Sequence, residues 1–524
     1  MILTQRYLGY LAPLVGVAMG ASAALAADAN TVRIGLGLEP TSIDPHYWSG
    51  IPNVQMGQNI FDHLIVLEDG KLTPSLATSW KTLDDKTWEI KLRQGVKFHD
   101  GSPFTADDVI FSFLRVRTAG LKQFAAFSDG KDIKKIDDHT IHITSAKPNP
   151  LVPNDFAPYA VVSAKHTPPD GKPDEFNAGK ATIGTGPFKF VEWKKGEQIV
   201  LDANPAYWGE KPKWSKVILQ PIPAGPSRVG ALLAGQVDLI DYVPTTDIPK
   251  LKQNANLTIA QTPSTRIIFF YLDQGRDESP YVTLNDGSKY PNPLRDVRVR
   301  QAMSKAIDRK AIQERVMDGL SVPASQLIAK EYFGYNPNIP VEVADVEGAK
   351  KLMAQAGYPD GFKIALHGPN DRYDNDSQIL EAVAQMLSRI NIKVDVQAMP
   401  STTYFTRSAR YELSFGMMAN SSATGEASFP LRQYLHTYSP GTQFGLTGLS
   451  RYQNMRLDPM VEEAVTVIDD AKRQKMFQEI MAVGMRDAAY LPLHYQVNTW
   501  AMKKGITYKA RSDERTLAVH VGKN

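Results

Sequence analysis

The chain has 524 residues, 43% hydrophobic and 22% charged, a composition of folded domains with length enough for two or more of them. Its 59 lysines and arginines stand against 56 acids, a formal charge of +3, and no basic block is interleaved with aromatics, so nucleic acid is not an expected partner. There is no cysteine, which excludes disulfides, thiol nucleophiles and a lipid-modified cysteine, and leaves stability to the core.

Residues 1–26 carry one charge, Arg6, then an apolar run ending in Ala24-Leu25-Ala26, the small-x-small pattern of a signal-peptidase site. The run is short and broken by Pro13, Gly16 and Gly20, which fits a cleaved leader better than a membrane anchor. Export with cleavage after Ala26 is the expectation, and a cysteine-free exported chain of this size suits a bacterial periplasm.

Residues 31–38, TVRIGLGL, read as a strand, and EPTSIDPHYWSGIP follows, where Pro40, Pro45 and Pro52 forbid regular structure and leave a stiff aromatic loop suited to lining a site. Short strands come next, with turns at Asp69-Gly70 and Asp100-Gly101. A helix is expected from Thr105, where Asp108 completes a capping box ahead of Val109, Phe111, Phe113 and Leu114.

His139 and His142 fall on an expected strand, pointing to opposite faces, and the acid pairs Asp84-Asp85, Asp107-Asp108 and Asp137-Asp138 fall at turns or caps. No His-Glu-x-x-His or Gly-x-Ser-x-Gly occurs. No catalytic residue, metal site or cofactor is therefore expected.

The stretch GTGPFKFVEWKKGEQIVLDANPAYWG, residues 184–209, opens on glycines yet continues as strand-like alternation with no helix behind it. The nearest Walker-type candidate, AGKAT at 178–182, lacks the Ser or Thr after its lysine, and GLGLEP at 35–40 lacks a third glycine. Beyond them helix alternates with strand: residues 308–319 and 345–357 each start at an aspartate cap and stop at a glycine, and 376–399 pass from amphipathic helix into the strand IKVDVQ. One long helical region is expected from about Asp458 to Asp487, then a buried strand in YLPLHYQVNTWAM, residues 490–502. With no internal repeat and no low-complexity linker, the reading is a two-lobed α/β protein.

Three segments, at 76–115, 184–209 and 294–308 (LRDVRVRQAMSKAID), resemble the extracytoplasmic solute-binding proteins of ABC importers, in the family of dipeptide, oligopeptide, glutathione and nickel binders. The resemblance covers nearly all the chain after the leader. It implies a type II periplasmic-binding-protein fold with lobe one at 27–265, a subdomain inserted near 63–183, lobe two at 266–483, and a return to lobe one at 484–524. It also implies a binder rather than an enzyme, a monomer that closes its lobes on a solute and delivers it to an inner-membrane ABC permease. SSATGEASFPLR at 421–432 resembles the STGEA and LR pattern of glutathione-type binders, so a small peptide-like solute is expected, glutathione first. An opine, a sugar phosphate or a nickel chelate is the alternative within the class, and a secreted hydrolase the remote one. Gly184 to Pro187 is expected to be the turn back from the insertion, its glycines permitting backbone geometry, with Thr185 at the cleft edge.

Arg372, between an expected strand end and a helix, resembles the carboxylate-binding arginine of dipeptide binders; a guanidinium grips a carboxylate through two parallel hydrogen bonds. The alternative is a solvated arginine paired with Asp371, Asp374 or Asp376. Where peptide binders place a tryptophan and then an aspartate for the solute's ammonium, this chain has Met418 and Ser421, followed by Ser422. Glu426 is the candidate replacement acid, with pairing to Arg432 as its alternative. The N-terminal loop offers Trp48, Ser49, Gly50 and Ile51, with Tyr47 a second stacking candidate. Near the C-terminus Tyr495, beside His494, is expected to face the cleft, with an inward-packed Tyr495 equally open.

Overall fold

The computed structural model describes residues 30–118, 121, 128–170, 172–422 and 424–524, so the expected leader lies outside the described residues. The first strand, Thr31–Leu36 (β1), is covered on both faces and sends Val32, Ile34 and Leu36 into the first-lobe core. Two small antiparallel sheets then branch off: Ile65–Glu68 (β2) with Lys71–Pro74 (β3), and the set Ala77–Thr82 (β4), Thr87–Leu92 (β5), Lys131–Asp137 (β6) and Thr140–Ser145 (β7), ordered β4-β5-β7-β6. This branch has its own core, in which Ile90, Phe104, Phe113, Ile141 and Phe156 are buried together.

The chain returns through Phe188–Lys194 (β8), Gln198–Ala203 (β9), Lys216–Pro221 (β10) and Leu239–Asp241 (β11) to the 16-residue Leu257–Leu272 (β12). Val282–Thr283 (β13), Ser321–Pro323 (β14), Lys363–Pro369 (β15), Lys393–Met399 (β16), Phe415–Asn420 (β17) and the 13-residue Leu491–Lys503 (β18) follow. Together they form a 12-stranded sheet ordered β13-β15-β17-β12-β18-β11-β1-β10-β9-β8, with β14 on β18 and β16 on β15.

The long antiparallel pair β12 and β18 runs through both halves of this sheet, and its register shifts between Pro263 and Ile267. Before the shift β18 also pairs β11; after it β12 also pairs β17. Two lobes result, joined by the crossing strands. In the second lobe both sheet faces are covered: Ile268, Phe270 and Leu272 enter one cluster, Ile267, Phe269 and Tyr271 the other. A strand buried on both sides reads as an unbroken apolar run, as RIIFFYL does.

Two local expectations are corrected. The helical region near the C-terminus is two helices, Leu457–Ala464 and Asp470–Arg486. The β-branched run Val465-Thr466-Val467-Ile468 separates them, and Asp469 restarts the helix by accepting the Lys472 N–H at 2.7 Å. His139 sits in the turn between β6 and β7 rather than on the strand. The capping box at Thr105 forms, with the Asp108 carboxylate accepting the Thr105 N–H at 3.0 Å before the helix Ala106–Thr118.

The glycines of the 184–209 stretch answer to a backbone neighbour. Gly186 donates its N–H to the Ile60 carbonyl at 2.9 Å, and a Cβ on Gly186 would lie 2.5 Å from that oxygen, one on Gly184 closer still. Close approach, not a positive φ and not a phosphate, requires them.

Candidate functional site

At the C-terminal end of β15 the chain turns through residues 370–375 into the helix Asp376–Ser388, the kind of crevice where open α/β sheets place ligands. Asp376 pins this turn by accepting N–H bonds from Arg372 at 3.0 Å, Tyr373 at 3.1 Å and Ser377 at 2.9 Å. Asn375, at φ 55°, donates its side-chain amide to the Val316 carbonyl at 2.7 Å and to Thr245 Oγ1 of the first lobe at 3.1 Å. Arg372 and Asp374 are thereby held facing the crossing of β12 and β18.

There they line a narrow cavity, partly open to solvent, with Asp241, Tyr242, Arg266, Gln496, Asn498 and Glu514. Arg266 grips Glu514 through two bonds, 2.6 and 2.9 Å, and Ser264 adds a third at 2.9 Å. Burial opposes ionisation of Glu514, but the Arg266 charge and these bonds hold its carboxyl below the ordinary range. Arg228 donates to the backbone carbonyls of Asp241, Ile222 and Tyr242 and lies 3.9 Å from the Asp241 carboxylate. Burial lifts Asp241 to about 6.

Two charges remain. Burial, with Glu514 and Asp376 nearby, pushes Asp374 up to about 6, and Gln496 reaches it only at 3.4 Å. The Arg372 guanidinium lies 5.3 Å over the Tyr373 ring and, among the described residues, makes no hydrogen bond or ion pair. Its neighbouring acids are otherwise engaged: Asp371 accepts the Ser401 N–H at 2.8 Å and Asp376 holds the turn.

The other expected residues are scattered. Ser421 bonds Thr265 Oγ1 at 3.2 Å, next to Arg266 at the crossing, and Met418 pairs with Phe269 and packs into the second-lobe core. Arg432 lies elsewhere, lining a second opening between β6, β7 and the second lobe with Lys131, Asp155 and Phe429, and Glu426 is buried outside both linings. Glu426 is 1% exposed, its Oε1 is without a hydrogen-bond partner, and burial lifts it to about 7 against the pull of Ser428, Arg473 and Arg432. No ion pair joins it to Arg432 among the described residues. Ser422 spends its hydroxyl on the Glu426 carbonyl at 3.0 Å.

Thr185 and Tyr495 are committed inside the protein. Thr185 is fully buried and donates to Asp62 at 2.8 Å, a carboxylate that also collects Tyr207 and Trp208. Tyr495 takes the inward-packed course, donating to the Ile328 carbonyl at 2.6 Å within the second-lobe core. Neither hydroxyl is left for a solute. In the N-terminal loop Gly50 precedes the helix Ile51–Ile60, and the Trp48 indole, 38% exposed, folds over Gly50 with Ser49 between them.

Sequence reasoning missed Arg266, Glu514, Asp241 and Gln496. Arg266 had a faint signal, a lone charge heading an apolar strand; Glu514, in the C-terminal tail, had none. Among the described residues no group of three or more His, Asp or Glu is placed to hold a metal, and no helix is long and apolar enough to cross a membrane.

A family profile described as "Bacterial extracellular solute-binding proteins, family 5 Middle" matches residues 71–442. The chain is similar to heme-binding protein A of Haemophilus influenzae, 26% identical over 502 residues that cover 89% of this chain and 86% of that one. It is similar also to glutathione-binding protein GsiB of Pectobacterium atrosepticum, 27% identical with 94% of each chain covered. In fold it resembles the periplasmic binding protein DppA of Helicobacter pylori in complex with peptide STSA, with TM-score 0.76, 23% identity, and 94% and 98% of the two chains covered.

Proposed function

We propose that this protein, which belongs to the bacterial extracellular solute-binding proteins of family 5, is the periplasmic capture component of an ABC importer, working as a monomer on a small peptide or peptide-like solute, with glutathione the leading candidate. Proteins of this family bind and hand over; they are not enzymes. The observation that carries the solute reading is Arg372, which lines the cavity at the lobe crossing and whose guanidinium, among the described residues, has the Tyr373 ring beside it but no hydrogen bond or ion pair. A half-buried guanidinium facing a cleft can grip a carboxylate through two parallel hydrogen bonds, which closure of the lobes over it would strengthen.

Lobe closure supplies the mechanism. Asp241 and Tyr242 reach the cavity from the first lobe, Arg372 and Asp374 from the second, so a solute touching both sides favours the closed form by its extra bonds. On this reading the lobes divide at Ser264–Arg266 and near Gln496, where β12 and β18 change register, so the return to lobe one comes later than residue 484. The permease then reads the closed shape. Micromolar affinity corresponds to about 8 kcal/mol, within reach of a few charged bonds.

Calorimetric titration of the exported chain, stripped of solute by unfolding and refolding, against glutathione, di- and tripeptides, heme, opines, sugar phosphates and nickel chelates tests the reading. A peptide-like solute is expected to bind, and Arg372→Ala to weaken it roughly ten-fold to a hundred-fold. Binding only of the other solutes overturns the peptide reading, and an unchanged affinity in the variant overturns the carboxylate grip.

A further inference from the structure

The charges around the crossing cavity sort into pairs with one remainder. Arg266 is committed to Glu514, and Arg228 stands against Asp241, whose carboxylate also accepts the Gly37 N–H at 2.7 Å. What is left is one cation and one anion, Arg372 and Asp374, two residues apart on one pinned turn. They make no ion pair with each other among the described residues. The turn has little freedom to change this, because Asp376 holds the backbone N–H groups of Arg372 and Tyr373 while Asn375 is tied to Val316 and Thr245.

Opposite charges held apart over a small cavity match a solute that is itself dipolar over a short span. A purely anionic solute satisfies Arg372 and leaves Asp374 facing more negative charge; a purely cationic one does the reverse. Glu426, the other candidate acid, does not line this cavity.

Resting on the reading of the crossing cavity as the solute site, we infer that Asp374 receives the ammonium of the solute whose carboxylate Arg372 takes, so that the site selects an intact α-amino-acid head, with both groups on one carbon. The chemical class is then the γ-linked peptide or amino-acid conjugate, whose head is free, and not the α-linked peptide, whose ammonium and carboxylate stand at opposite ends.

The probes are γ-glutamylalanine, its N-acetyl derivative and α-linked glutamylalanine, titrated into the wild-type protein and into Asp374→Asn. The wild type is expected to bind the γ-linked compound at least ten-fold tighter than either of the others. Asp374→Asn is expected to bind the free and acetylated γ-linked compounds within about three-fold of each other. The N-acetyl comparison needs only the wild type, so it decides the matter even where the variant fails to fold. Equal wild-type binding of free and acetylated compound overturns the inference, as does a folded Asp374→Asn that discriminates as the wild type does. Wild-type preference for the α-linked peptide, lost in Arg372→Ala, overturns it while sparing the carboxylate grip. Binding of no peptide-like probe at all removes the underlying reading and the inference with it.

Discussion

Replacing Glu426 by glutamine keeps the shape of a buried side chain and removes its charge, so it isolates the free energy of holding that charge. In the fold burial lifts the carboxyl from its ordinary 4.5 to about 7. The difference, at roughly 1.4 kcal/mol for each pH unit, sets a ceiling of about 3 kcal/mol. Because the folded value is raised, the stabilising contribution is whole below 4.5 and is lost progressively as pH climbs to about 7, beyond which the deficit is constant. Glu426→Gln lacks that loss, so its stability relative to wild type is expected to rise by about 1–3 kcal/mol between about pH 5 and about pH 8. Urea unfolding of both proteins across that range measures it. His46, His63 and His494, which burial holds down to about 4, 4 and 3, give an opposite slope common to both proteins that cancels in the difference. A difference between the two proteins that stays flat across the range refutes the argument that burial holds Glu426 protonated.

Two further substitutions, each set beside a control, test the frame. Gly184→Ala sets a Cβ against the Ile60 carbonyl, a backbone atom that cannot rotate away, and is expected to cost about 3 kcal/mol or more, or to prevent folding; Gly196→Ala, in open space at φ 79°, is expected to cost about 1 kcal/mol, and thermal unfolding ranks the two. Asp44→Ala removes the partner of Arg115, a fully buried arginine gripped at 3.0 and 2.6 Å, and is expected to cost about 3–5 kcal/mol in urea unfolding, while breaking the exposed Lys350–Glu347 pair is expected to change nothing measurable.

Much of this was legible in the chain. The apolar strand TVRIGL, the capping box at Thr105 and Asp108, and the apolar run of β18 announce their elements directly, because each rests on contacts within a few residues or on burial of both faces. Arg372 was readable for the same reason, standing between a strand and a helix. Asp374 was hidden by its neighbours: four acids fall within residues 371–381, and only the fold tells which is a cap, which a backbone acceptor and which is spare. The Arg266–Glu514 pair was out of reach, since 248 residues separate partners that only the strand crossing brings together. Tyr495 failed differently. Alternation sets it opposite its neighbours His494 and Gln496, but in a strand covered on both sides it cannot say which cover is core and which is cleft.

The strand β18 stands between β12 and β11, in the middle of the main sheet, yet it is made from residues 491–503. A chain delivered from its amino end therefore has no way to finish either lobe early: β11 and β12 both wait with bare edges until almost everything else has appeared. Such edges are hazards if the wait is long, since unpaired strands recruit one another, and long-range pairing of this kind is slow to form. For a chain read here as exported, the same delay is useful, because a polypeptide that cannot complete its sheet stays pliable enough to be threaded, and locks only after the final strand has arrived.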